Sequence, residues 1–120
     1  MVEKIEKFED LNVWKEAMRL SVELYKSLKD CKDYGLRDQI QRSVTSIPSN
    51  IAEGFERQSN KEFIQFLYIA KASFGELRTQ LFIAIEVKIL DKTRGEEFIE
   101  RTRKISAMLY NLIKIRKEHF

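Results

Sequence analysis

The chain carries a single proline, and that proline falls inside an otherwise continuous amphipathic helix. Leu36, Ile40, Val44 and Ile47 recur at helical spacing before Pro48, and Ile51 and Phe55 extend the same stripe beyond it. A proline in a helix interior has no amide proton to donate and crowds the carbonyl four residues back, here that of Val44. The cost is about 3 kcal/mol unless the helix bends. The pattern predicts one long second helix, kinked between Val44 and Pro48, with neighbours shaped to the bend.

On the wheel of that helix, Ser43, Asn50 and Gly54 lie on one shoulder of the apolar stripe, with Ser46, Glu53 and Arg57 just beyond. Two readings fit. In the first, small side chains allow close packing, Ser or Asn satisfies the backbone groups freed by Pro48, and Glu53 pairs with Arg57 across one turn. In the second, Asn50, Glu53 and Arg57 form a buried polar contact between subunits or a ligand site.

The run SIPSNIAEGFERQSNKEF (46–63), with YGLRDQIQRSV (34–44) and FEDLNVWKEAM (8–18) ahead of it, resembles the small bacterial four-helix-bundle family called 23S ribosomal RNA intervening-sequence proteins. The proline, the Asn-Ile-Ala-Glu-Gly continuation, Trp14 and the later Lys-Glu-Phe stand in the family's order. The family is in turn similar to accessory proteins of diversity-generating retroelements. That likeness implies a five-membered ring, association with RNA or DNA, and a reverse transcriptase as partner. The name itself implies only where some of the genes lie.

Composition agrees with a compact all-α protein. The 120 residues suit one domain, and only four glycines punctuate a chain that is 34% charged and 43% hydrophobic. There is no run of about 18 apolar residues and no apolar signal-peptide core in MVEKIEKFEDL, so a cytoplasmic location without membrane association is expected. Cys31 is the lone cysteine, in the charged connector KDCKDYG, which fits a tolerated thiol rather than a nucleophile.

An antiparallel four-helix bundle follows. The first helix is expected from about Leu11 to Lys29, capped by Asp10 or Asn12, with Leu11, Trp14, Met18, Val22 and Tyr25 on its face and Ala17, Leu20, Leu24 and Leu28 widening it. The second ends near Arg57. Ser59 with Glu62 and Thr93 with Glu96 have capping-box spacing and should start the third and fourth. The third, about Asn60 to Ile89, has a main seam of Phe63, Leu67, Ala70, Phe74, Leu77, Leu81 and Ala84. Ile64, Tyr68, Gly75, Phe82 and Ile89 form a second stripe roughly opposite, with Ile69 and Val87 beside it. A helix apolar on two sides needs two partners, so self-association is expected; periodicity does not give the subunit number.

The fourth helix, about Arg94 to Lys117, is amphipathic through Phe98, Thr102, Ile105, Leu109 and Leu112. From Arg101 to Lys117 there are six cations and no carboxylate, +6 against +3 for the whole chain, so the remainder is net negative. Arg103, Tyr110, Lys114 and Lys117 fall away from the seam, a basic stripe able to meet phosphates with an aromatic ring for stacking. Glu96, Glu97 and Glu100 at one end and cations at the other also complement the helix dipole, which is the simpler reading of the same charges.

No enzyme is expected. His119 is the only histidine, no Glu-x-x-His pair faces the core to hold a metal, and no phosphate-cradling glycine loop is present, so neither a catalytic residue, a cofactor nor a metal is assigned. Glu53 is the one acid expected in a buried setting, with a structural role. Two functional classes remain: an oligomeric, sequence-tolerant nucleic-acid-binding accessory protein, and a protein-interaction scaffold whose basic surface is incidental.

Overall fold

The computed structural model describes residues 4–120. A short 3-10 turn, Phe8–Asp10, leads into four helices: α1 (Asn12–Ser27), α2 (Tyr34–Phe55), α3 (Asn60–Glu86) and α4 (Lys92–His119). The 28 residues of α4 span about 42 Å at 1.5 Å per residue, which accounts for the long dimension of a bundle measuring 45 × 27 × 19 Å. None of the described helices is long and apolar enough to cross a membrane.

Contacts between successive helices pair positions that count in opposite directions. Gly54 of α2 sits on Phe63 and Phe66 of α3, whereas Ser43, three turns earlier, reaches Glu76. Likewise Gly95 at the start of α4 packs on Ile85 near the end of α3, and Asn60 at the start of α3 hydrogen-bonds Arg116 near the end of α4. Glu23 ties α1 to α4 through Arg101 and, at 3.8 Å, Arg94.

One apolar core runs the length of the bundle. The α3 seam is buried as expected, from Phe63 through Ala84, and Phe74, Phe98, Leu20, Ile47 and Leu109 are among its largest fully buried side chains. The face of α1 is rotated from the expected one. Val13, Ala17, Leu20, Ser21 and Leu24 are buried, while Met18, Val22 and Tyr25 are exposed and Trp14 is half-buried in a T-shaped contact with Phe8. The residues expected to widen the stripe are its centre, since Leu20, Leu24 and Leu28 bring three full-length aliphatic chains to α2 and α4.

The helix ends show which caps win. Ser59 begins α3 as expected, its Oγ accepting from the Glu62 amide at 3.2 Å. Thr93 does not cap α4. Asp91 does, its carboxylate accepting from the Arg94 amide at 2.9 Å, so the helix starts two residues earlier. Neither Asp10 nor Asn12 caps α1: Asp10 instead closes the preceding turn by accepting from the amides of Glu6 and Lys7. Helix α3 stops at Glu86, short of Ile89, in a Schellman-type end. The Ile89 amide reaches the Ala84 carbonyl, the Lys88 amide reaches that of Ile85, and Lys88 sits at φ 64°.

Pro48 lies buried within α2, which continues through it. The Val44 carbonyl, left without a helical donor by Pro48, lies 3.2 Å from the Ser21 hydroxyl of α1, whose single proton it shares with the Ala17 carbonyl at 2.9 Å. Around it, Thr45, Ser46 and Asn50 each hydrogen-bond back to carbonyls one turn earlier, those of Gln41, Ser43 and Ser46.

Candidate nucleic-acid interface

The basic stripe of α4 does not stand alone. Arg103 and Tyr110 line one shallow depression with Lys71 and Arg78 of α3, and Tyr110, Lys114 and Lys117 line an adjoining one with Tyr68. Tyr110, 57% exposed, belongs to both and joins them into a groove along the α3–α4 seam. The four residues expected on α4 are therefore brought to one surface, with two further cations and a second tyrosine supplied by α3.

The electrostatics of this groove are one-sided. Arg103 is paired with Glu100 at 3.4 Å, but among the described residues no carboxylate comes within 4 Å of Lys71, Arg78, Lys114 or Lys117. The Lys117 ammonium donates instead to the phenol oxygen of Tyr68. Among the described residues, Glu118 is the one acid lining the groove. Lys71, Arg78 and Lys114 are uncommitted donors that can meet phosphates, and the exposed Tyr110 ring offers a face for bases, whereas Lys117 lies over the Tyr68 ring at 4.8 Å.

Lys71 and Arg78 escaped the sequence reading for a simple reason. Tyr68, Lys71, Gly75, Arg78 and Phe82 follow a three-four-three-four spacing, so both cations lie in the very stripe in which only the apolar members were followed. That stripe is mixed. Ile64 and Ile89 are half-buried against the core, whereas Tyr68 and Phe82 are exposed, Phe82 by 49%, together with Ile69, Ile83 and Val87.

The polar strip of α2 is arranged locally within one chain. Arg57 pairs with Glu53 at 2.8 Å and lies 4.8 Å from the Phe66 ring centre. Both charged residues are exposed, so Glu53 is not the buried acid expected; it lies on the outward side of the last turn of α2, whose inward side is the buried Gly54. Asn50 is half-buried with its amide committed to the Ser46 carbonyl. Gly54 is buried because a Cβ there would lie 2.6 Å from that of Phe66, so its role is the close approach of α2 and α3.

The same architecture occurs in a solved relative. A crystal structure of a protein of unknown function from the S23 ribosomal protein family of Bacteroides thetaiotaomicron superposes with a TM-score of 0.79 at 29% identity, covering 85% of this chain and 98% of that one. No curated protein matches the chain. Residues 9–111, from the turn before α1 through most of α4, match the family described as 23S rRNA-intervening sequence protein. With nearly the whole helical bundle inside that match, this chain belongs to the 23S rRNA-intervening sequence protein family.

Proposed function

We propose that this protein is an oligomeric, sequence-tolerant nucleic-acid-binding accessory protein that works in the cytoplasm without a membrane. The observation that carries this reading is the α3–α4 groove, where Lys71, Arg78, Lys114 and Lys117 have no acidic partner among the described residues and Tyr68 and Tyr110 stand beside them. Phosphate contacts from such a groove are indifferent to sequence, and among the described residues there is no helix-turn-helix pair to present a recognition helix to base edges. One groove binds weakly. A homo-oligomer, five-membered if the retroelement accessory proteins are the right guide, repeats it on a single surface and multiplies the affinity. Exposed Ile69, Phe82 and Ile83 on α3 and Val87 just past its end, with Met18, Val22 and Tyr25 on α1, support such an assembly. The resemblance to retroelement proteins supports a reverse transcriptase as the partner served; the family's name supports RNA carrying ribosomal intervening sequences as a target.

Replacing Arg103, Lys114 and Lys117 together with Gln tests the reading. All three are exposed, so fold and oligomer size should persist. Affinity for RNA and DNA of unrelated sequence should fall, and the slope of log affinity against log salt should become shallower by about 0.7 to 0.9 for each phosphate no longer neutralised. Unchanged affinity with an unchanged slope favours the second reading, a non-enzymatic interaction scaffold, for which the exposed apolar residues of α1 and α3 are the supporting observation.

A further inference from the structure

A cavity of about 630 Å³ opens at the end of the bundle, where the connector between α2 and α3 meets the last turns of α4. Its walls are largely apolar, formed by Phe55, Phe63, Leu112, Ile115 and Phe120. A volume of that order is within the usual range for small-molecule sites, which pair an apolar lining with a few oriented polar groups. Here the oriented group is a guanidinium.

Arg116 is held from two directions. Its Nε donates to Asn60 Oδ1 at 2.7 Å, and Asn60 Nδ2 donates back to the Arg116 carbonyl at 2.9 Å, so the amide can face only one way. The guanidinium carbon lies 3.7 Å from the Phe120 ring centre and 5.0 Å from that of Phe63. No carboxylate among the described residues lies within 4 Å of it, in contrast to Arg57 on the same cavity, which is paired with Glu53 and, at 3.9 Å, Glu62. Desolvation pulls the Arg116 pKa below its ordinary value, although a guanidinium remains charged at neutral pH. A fixed, partly dehydrated cation with no counter-ion among the described residues, facing an apolar cavity, favours an anion that brings its own apolar body.

We propose that this cavity binds a small amphipathic monoanion, a carboxylate carried on an aromatic ring system. Because Nε is committed to Asn60, the carboxylate meets the guanidinium end-on through its two terminal nitrogens, and the rings fill the space between Phe55, Leu112 and Ile115. This site is separate from the α3–α4 groove and does not depend on nucleic-acid binding.

The test uses 2-naphthoate and its uncharged counterpart 2-naphthamide as probes, with binding to the full chain followed by protein-observed NMR. The wild type should bind the acid more tightly than the amide, with shifts at Arg116, Asn60 and Ile115. A hydrogen-bonded charge contributes enough that Arg116→Met should weaken the acid by about tenfold to a hundredfold and bring it level with the amide. Arg116→Lys, which keeps the charge but loses the fork, should fall between. Phe120 is exposed, so Phe120→Ala keeps the test open if Arg116→Met fails to fold: it should weaken acid and amide alike. The variant with Arg103, Lys114 and Lys117 changed to Gln should bind naphthoate as the parent does. Equal binding of acid and amide by the wild type, or no binding of either at millimolar concentration, overturns the proposal.

Discussion

Around Pro48 the polar groups are turned inward and matched, whereas along the α3–α4 groove they are turned outward and left unmatched. At the first place a proline strands one carbonyl, a serine from the facing helix comes within 3.2 Å of it, and three neighbouring side chains bond back onto their own helix. At the second, four cations project without a carboxylate among the described residues, and one of them settles on a phenol. Burial explains the difference. An unpaired polar group out of water costs about 1–3 kcal/mol, so the inner set has to be complete, while the outer set is satisfied by water and remains free for a partner. Residues of the first set should therefore govern stability and those of the second should govern binding.

The largest effect expected inside that division is at Gly54. Alanine there would drive its Cβ into the backbone-proximal atoms of Phe66 and Phe63, which cannot rotate away, and overpacking of this kind costs about 1–3 kcal/mol or more. Chemical denaturation should show the loss with nucleic-acid affinity of the folded fraction unaltered. An equally stable Gly54→Ala protein would mean that α2 and α3 are not held so close.

Ser21 offers a more pointed measurement. Ser21→Ala leaves the Val44 carbonyl without the hydroxyl and should destabilise by about 1–2 kcal/mol. Pro48→Ala restores an amide four residues on from Val44; if α2 bends at the proline and its neighbours fit the bend, the change should lower stability or disturb assembly despite alanine's better propensity. The two changes should couple: in the Pro48→Ala background the carbonyl has its own helical donor, so Ser21→Ala should cost less by about 1 kcal/mol. Strict additivity in a double-mutant cycle would detach Ser21 from the proline.

Much of this arrangement was legible in the order of residues alone. Four helices, the α3 seam and the Ser59 cap follow from periodicity and local hydrogen-bonding chemistry, which act within a few residues. What was not legible depends on choices between near-equivalent local signals or on packing across the bundle. Asp91 and Thr93 both offer a cap to α4, and only the path of the chain out of α3 decides for Asp91. That path turns at Lys88, a residue type that carries no signal for positive φ. The role of Ser21 carries no local signal, because nothing in its own helix points to a carbonyl 23 positions away. The groove was half visible: the α4 stripe could be read alone, but Lys71 and Arg78 were concealed by the apolar company they keep on α3.

The smallest expected effect is the one that best separates the two regions. Gly75 lies on the α3 surface between Lys71 and Arg78, and a Cβ added there meets nothing within 4 Å in the single chain. Gly75→Ala should then stabilise an isolated subunit by about 0.5–1 kcal/mol through helix propensity alone. If a second subunit packs closely on this stripe, the added methyl intrudes and the sign reverses in the assembly. Phe82→Glu, two turns along the same face and half exposed, gives the companion result: a shift to smaller species in sedimentation with the helical signal retained. A wild-type protein that sediments as a monomer at micromolar concentration, with Gly75→Ala simply more stable, would leave the outer face of α3 to the groove and its ligands and remove self-association from the account.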